Sequence, residues 1–245
     1  MLLKVLGSGS KGNCYILQGK EESLIIECGV NFKKVKKALN FNLSCVRGCL
    51  ITHEHKDHSK AAKDLINAGI DIYFSKGTKE GININGHRTH TVSPMEVFNV
   101  GNFKVLAFET MHDCKEPLGF LIKHPEMGTL LFATDTYYLE YTFEDLNHIL
   151  IECNYSDEII NENIEAGHIP LSLKNRVYKS HFSLSNIIGF MGANDLKSVR
   201  NIVLLHLSDG NSNANEFKRE VNNLTGKEVF IADIGLEINL DLYPF

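Results

Sequence analysis

The sequence predicts an α/β chain of two β-sheets with helices on their outer sides. Three observations lead there. Short apolar runs with β-like composition crowd the first thirty residues and again positions 96–134. The C-terminal part alternates apolar runs with amphipathic stretches in a strand–helix order. No linker, repeat or low-complexity tract interrupts this β-rich, α, β-rich, αβαβ order, so a single domain over 1–245 is expected.

The elements follow in order. LLKVL, NCYIL and SLIIE are predicted as adjacent strands separated by glycine-containing turns. Phe32, Val35 and Leu39 recur at helical spacing, which predicts a short helix near 31–40 with most of its lysines outward. GCLIT is a buried strand running straight into HEHKDH. SKAAKDLINAG is a helix stopped by Gly69. DIYFS, EVFNV, FKVLAFET, LGFLIK, TLLFAT and HILIE are strands. A helical stretch covers 156–179 and a second helix 183–194. The strand NIVLLHL, a helix at 214–224 and the strand EVFIA close the chain.

Composition excludes several classes. Hydrophobic residues make up 43% and charged residues 22% of the 245, which suits a globular chain with a sizeable core. No apolar run approaches the roughly 18 residues that a membrane helix needs, and the apolar start of MLLKVLGSGSKGN is too short for a signal peptide. A cytoplasmic location without membrane contact is therefore expected. A net charge of -5 does not encode a broad nucleic-acid-binding surface. The basic clusters Lys33, Lys34, Lys36, Lys37 and Lys174, Arg176, Lys179 read as solvated helix faces. The six cysteines read as reduced, buried thiols, because Cys45-x3-Cys49 has no second pair to complete a zinc knuckle.

Gly7-Ser8-Gly9-Ser10-Lys11-Gly12 fits G-x-G-x-x-G, but the following NCYILQG is a strand rather than the helix a dinucleotide site requires. The segment reads instead as a tight turn with its N–H groups facing an active site, where Ser8, Ser10 and Asn13 are candidate phosphate contacts. The strongest signal is Thr52-His53-Glu54-His55-Lys56-Asp57-His58, three imidazoles and a carboxylate at the end of an apolar strand. Clustered His and Asp are costly unless they share a ligand, and imidazole is the commonest neutral metal ligand. His53 and His55 are placed to reach one ion, with Asp57 and His58 facing a second.

H-x-H-x-D-H after a strand resembles the signature of the metallo-β-lactamase superfamily, whose fold is an αββα four-layer sandwich. The resemblance implies further residues in order. Glu27 in IIECG takes the place of the usual supporting aspartate, a departure from the pattern. His112 in ETMHD completes a trio with His53 and His55 on the first metal. Asp135 in FATDT bridges two metals, and His206 in VLLHLS joins Asp57 and His58 on the second. The tail IEC (151–153), SHFS (180–183) and LHLS (205–208) is similar to the phosphodiesterase branch that includes tRNA-processing RNase Z. That branch implies Glu152 and His181 as a proton-donating pair, with Asp57, Glu152 and His181 as the catalytic residues.

SGSKGN, HEHKDH, HD-x-x-EPLGF, ATDT, SHFS and HLSDGN together resemble the YycJ/WalJ-like group over residues 2 to about 235, and ATDTYY with IECNY resembles its phage-borne members. That resemblance implies a 5′→3′ exonuclease on linear duplex DNA ends, leaving 3′ single strands for a RecT-type annealing protein. The location would then be the bacterial host cytoplasm. It also implies two divalent ions. Imidazole and carboxylate ligands accept manganese or zinc, with magnesium also acceptable. RNA cleavage, cyclic-nucleotide hydrolysis and a non-catalytic recruiting module remain alternatives, and oligomeric state, including a homo-oligomer, is left open. His87, His90, His124, His148 and His168 match no motif.

Overall fold

The computed structural model describes residues 1–243; the last two positions of the expected 1–245 domain lie outside the described residues. Two seven-stranded mixed sheets carry flanking helices, the predicted fold class. The described chain divides into two compact units. The first comprises Met1–Glu109, Cys114–Thr129 and the C-terminal segment from Ala232; the second comprises Thr110–Asp113 and Leu130–Ile231.

The first unit holds one whole sheet. Strands β1 (Leu2–Gly7), β2 (Cys14–Gln18) and β3 (Ser23–Ile26) pair antiparallel. β4 (Val46–Leu50), β5 (Ile72–Phe74) and β6 (Thr89–Thr91) continue from β3 in parallel, and β14 (Glu237–Asn239) closes the other edge against β1. β1 alternates half-buried and buried positions, whereas β3 is buried throughout, as expected of an interior strand covered on both faces. Helices α1 (Phe32–Ala38), α2 (Lys56–Ser59), α3 (Ala62–Asn67) and α4 (Lys76–Ile82) accompany it. Val35 of α1 and Leu65 of α3 enter one apolar cluster with Ile16, Ile25, Cys49 and Ile72 of the strands. The antiparallel strands β7 (Val97–Val100), β8 (Phe103–Glu109) and β9 (Leu118–His124) also belong to this unit. Phe98 of β7 stacks on Tyr73 of β5 at 5.4 Å between ring centres.

In the second unit β10 (Gly128–Ala133), β11 (His148–Glu152), β12 (Asn201–Leu205) and β13 (Glu228–Ile231) run parallel. β10, β11 and β12 are buried along their whole length. The helices are α5 (Asp157–Glu165), α6 (Leu171–Ser180), α7 (Leu184–Ala193) and α8 (Ala214–Thr225). Five of the described helices, α1, α4, α5, α7 and α8, begin on Asn31, Ser75, Ser156, Ser183 and Asn213, whose side chains accept first-turn N–H groups.

Three local expectations change. The helical stretch 156–179 is two helices, because Gly167 takes a φ of 72° and Pro170 starts α6 from the N-cap. The helix expected over SKAAKDLINAG, 59–69, is the shorter α3 at Ala62–Asn67, and the end of the histidine box forms a separate short helix, α2. Helix α4 is not among the expected elements, and its sequence contains Gly77 and Gly81. Both glycines are sites of close approach. A Cβ on Gly77 would lie 2.7 Å from Glu116 Cβ, and one on Gly81 would lie 2.6 Å from Glu54 Cβ.

Candidate metal centre

The first unit presents His53, His55, Asp57 and His58 on the turn and short helix that follow β4. His53 is buried, and its Nδ1 lies 2.9 Å from Thr52 Oγ1, while its Nε2 stands 3.1 Å from His55 Nδ1. Two nitrogens sharing a tetrahedral ion at bonds of about 2.0–2.1 Å would be roughly 3.3 Å apart, so this pair is spaced to share a metal. The His53 ring lies 4.1 Å from that of His58 between centres.

Glu27, which the motif implies as a supporting residue, sits beside His58. It is fully buried, with Oε1 3.4 Å from His58 Nδ1, and it accepts the N–H of Thr52 at 3.3 Å. One carboxylate thus ties the end of β3 to the start of the histidine box.

The glycine-rich turn packs directly on that box. Asn13 N donates to Asp57 O at 2.7 Å, Gly29 N donates to Asn13 O at 2.8 Å, and Cys28 N donates to His58 O at 2.8 Å. The Asn13 amide, wholly buried, lies 3.0 Å from His58 Nε2 and binds Gly9 through both N and O. Ser8 accepts from Tyr15 Oη at 2.8 Å, and Ser10 is exposed. Only glycine fits where these loops touch. A Cβ on Gly29 would sit 1.6 Å from Asp57 O, and one on Gly12 would sit 2.5 Å from Gly29 O.

The second unit brings together His112, Asp135, Glu152, His181 and His206. His112 Nδ1 lies 3.0 Å from the carbonyl of Ser180 at the end of α6, which favours the tautomer with the proton on Nδ1 and the lone pair on Nε2. Burial lowers the His112 pKa and prevails over the charges of Asp135, Asp113 and Glu152, keeping the imidazole neutral as a ligand must be.

Glu152, buried at the end of β11, is the hub. Its Oε2 accepts from Thr136 N at 3.1 Å and Phe182 N at 3.2 Å. Its Oε1 lies 2.7 Å from His181 Nδ1 and 3.2 Å from His206 Nδ1. Asp135 Oδ1 lies 3.3 Å from each of the same two nitrogens. Donor atoms of Asp135, Glu152, His181 and His206 all fall within 4.8 Å of one another, a His/Asp/Glu cluster able to bind a metal. Burial works to lower the His181 pKa, but the Glu152 charge and the bonds to both carboxylates push it up to about 10.

Local backbone geometry aims these side chains. Glu27, Asp135 and His206 follow the ends of β3, β10 and β12 with φ of 62°, 46° and 52°. A left-handed residue other than glycine costs about 1–2 kcal/mol, so three at strand ends in one protein mark positions where surrounding bonds dictate the turn.

Sequence reasoning missed the residues that brace the candidate metal-binding side chains. Asn154 donates to His206 O at 2.8 Å and lies 3.3 Å from its Nδ1. Thr52 was inside the quoted box and Ser180 began the SHFS segment, yet neither could be assigned a partner. Of the unmatched histidines, His124 is buried against Glu22 at 3.1 Å and His148 is buried 3.2 Å from Asn201.

Comparison with known proteins shows the family of the chain. The family described as "Beta-lactamase superfamily domain" matches residues 24–180. Exodeoxyribonuclease YycJ of Bacillus anthracis is 27% identical over 223 residues, 85% of this chain and 83% of its own. Exodeoxyribonuclease WalJ of Streptococcus pneumoniae D39 is 25% identical over 260 aligned positions, covering 98% of this chain and 92% of its own. The metallo-β-lactamase fold protein YhfI of Bacillus subtilis superposes with a TM-score of 0.70 at 16% identity, over 97% of this chain and 99% of that one. The chain therefore belongs to the beta-lactamase superfamily, as a hydrolase of the metallo-β-lactamase fold.

Proposed function

We propose that the protein is a two-metal phosphodiesterase, most specifically a 5′→3′ exodeoxyribonuclease acting on the ends of linear duplex DNA. The observation that carries the chemistry is the Glu152–His181 pair at 2.7 Å, set beside Asp135 and His206. A ligand cluster alone suits many hydrolases. An imidazole held protonated next to it suits a reaction whose leaving group needs a proton. The DNA reading is supported by the two relatives, both named exodeoxyribonucleases.

In this reading His53, His55 and His112 hold one divalent ion, Asp57, His58 and His206 hold the other, and Asp135 serves both. The donor chemistry suits manganese or zinc and tolerates magnesium. When bound, such a pair would lower the pKa of a water toward neutrality and would neutralise charge on the phosphoryl oxygens. The chain's own residues do the rest. Glu152 orients His181 and keeps it charged, and His181 passes its proton to the leaving 3′-oxygen. Glu27 and Asn13 hold His58, and Ser8, Ser10 and the surrounding turn meet flanking phosphates. The whole chain acts as one functional domain, in the host cytoplasm, and the 3′ single strand it exposes suits a RecT-type annealing protein.

The test is a linear duplex labelled at either 5′ end, set against covalently closed circular DNA, single-stranded RNA and cyclic mononucleotides. Labelled 5′ mononucleotide from the linear duplex, with the circle intact, is the expected result. Cleavage of RNA or cyclic mononucleotides without cleavage of linear duplex refutes the exonuclease reading.

A further inference from the structure

Directly after the FATDT segment the chain exposes two aromatic rings, Tyr137 at 39% and Tyr138 at 52%. Their backbone is firmly held. Thr136 N donates to Glu152 Oε2 at 3.1 Å, and Thr136 Oγ1 donates to Tyr138 O at 2.7 Å. Met111 N donates to Thr136 Oγ1 at 2.9 Å, Tyr137 N donates to Met111 O at 3.0 Å, and Asn186 Nδ2 donates to Tyr137 O at 2.9 Å. Two large rings are thus kept in solvent on a backbone tied to the hub carboxylate itself.

The pair begins two residues beyond Asp135, whose Oδ1 lies 3.3 Å from His181 Nδ1. His181 is the C-cap of α6, and the last turns of that helix carry exposed Arg176 and Lys179, three residues apart and so on one face. Exposed aromatic rings and exposed cations therefore lead along the chain to the same two residues of the proposed catalytic set.

We infer that Tyr137 and Tyr138 form a stacking platform for the unpaired bases of a single-stranded DNA end, with Arg176 and Lys179 on its phosphates. The inference rests on the exonuclease reading and deepens it. Bases stack on aromatic side chains irrespective of sequence, because every base has a π face. A net charge of -5, with Glu140 exposed beside the pair, provides little long-range attraction for a polyanion. Stacking then has to carry the affinity, and the pinned backbone spares it the cost of ordering the loop.

The chain has no tryptophan, so Tyr138→Trp installs a single reporter. Metal-loaded, full-length protein is titrated with phosphorothioate-linked oligothymidylate, which resists cleavage. The expected result is saturable quenching of the reporter. By fluorescence anisotropy of end-labelled oligothymidylate, which needs no reporter on the protein, Tyr137→Ala/Tyr138→Ala should weaken binding by at least about 5-fold, the lower end for a single lost base stack, and Tyr137→Phe/Tyr138→Phe should bind as wild type. An absent quench, or alanine binding equal to wild type, overturns the platform. A double alanine variant that loses self-association while keeping DNA affinity also overturns it, because the rings then serve a second copy of the chain. DNA cleavage without quenching removes the platform alone. Quenching by a protein that cuts no DNA keeps the platform and removes the exonuclease reading.

Discussion

Gly29→Ala adds one methyl group at the point where three loops meet. The new Cβ would lie 1.6 Å from the carbonyl oxygen of Asp57 and 2.9 Å from Asn13 N. Carbon and oxygen need roughly twice the first separation for van der Waals contact, so a backbone of about 1.5 Å displacement has to appear somewhere. Overpacking of this kind costs about 1–3 kcal/mol. The bonds Gly29 N to Asn13 O at 2.8 Å and Asn13 N to Asp57 O at 2.7 Å span the same point, and losing both adds about 1–3 kcal/mol. The sum, about 2–6 kcal/mol, is a large share of the roughly 5–15 kcal/mol that keeps a protein folded. At about 2–4 °C per kcal/mol for a chain of this size, Tm should fall by roughly 4–24 °C. Because Asp57 belongs to the displaced segment, phosphodiester hydrolysis should also fall by about 10²-fold, the scale for a 1 Å misplacement. Gly189→Ala is the matched control, since its Cβ meets nothing within 4 Å in helix α7. Calorimetry and hydrolysis of a p-nitrophenyl phosphodiester read both quantities. A Gly29→Ala protein with the Tm and turnover of the control would refute the claim that this glycine sets the distance between the turn and the box.

His181→Ala should retain its metals and lose about 10²–10⁴-fold in turnover on DNA. The loss should be smaller on a p-nitrophenyl ester, whose leaving oxygen needs no proton; equal losses would refute the proton-donor role. Because the His181 pKa is raised to about 10, its donor form is fully present at neutral pH, and kcat should decline only as pH rises through that value. Asp135→Ala should lose most of the bound metal by elemental analysis, and full retention would exclude it as a shared ligand. Burial raises the Glu22 pKa, but bonds from His124, Asn102 and Arg47 prevail and hold it below its ordinary value of 4.5. Its folded pKa is depressed, so its stabilisation is complete above that ordinary value and fades as pH falls through the lower folded one. Glu22→Gln should therefore cost about 1.5–3 kcal/mol at neutral pH, with the gap to wild type narrowing in urea melts below pH 4.5. A gap constant with pH would show that the charge contributes nothing.

Much of the architecture is legible in the amino-acid sequence. β10, β11 and β12 are buried on both faces, so their runs TLLFAT, HILIE and NIVLLHL are continuous and unmistakable. β6 and β14 escaped notice because each has three residues, too few to establish an alternation. Helix α4 escaped because Gly77 and Gly81, which argue locally against a helix, are required by the side chains of Glu116 and Glu54 more than thirty and twenty-five residues away in sequence. The histidine box announced itself through its spacing. The supports of the ligands did not, because they are tertiary. The carbonyl of Ser180 serving His112 carries no side-chain signature, and Asn154 beside His206 looks like any strand-end asparagine.

The backbone turns at Glu27, Asp135 and His206 bear on any attempt to make this protein sturdier. Each has a positive φ that a glycine, or in part an asparagine, adopts more comfortably. A thermostability screen blind to chemistry would reward exchange at these three places early, since relief of an unfavourable conformation is among the easiest gains available. The variants it enriched would have discarded a buried carboxylate beside His58, the carboxylate facing His181, or an imidazole held by Glu152. In the proposed reading, robustness and chemistry compete for the same three residues, and a selection on heat alone would drift toward an inert fold.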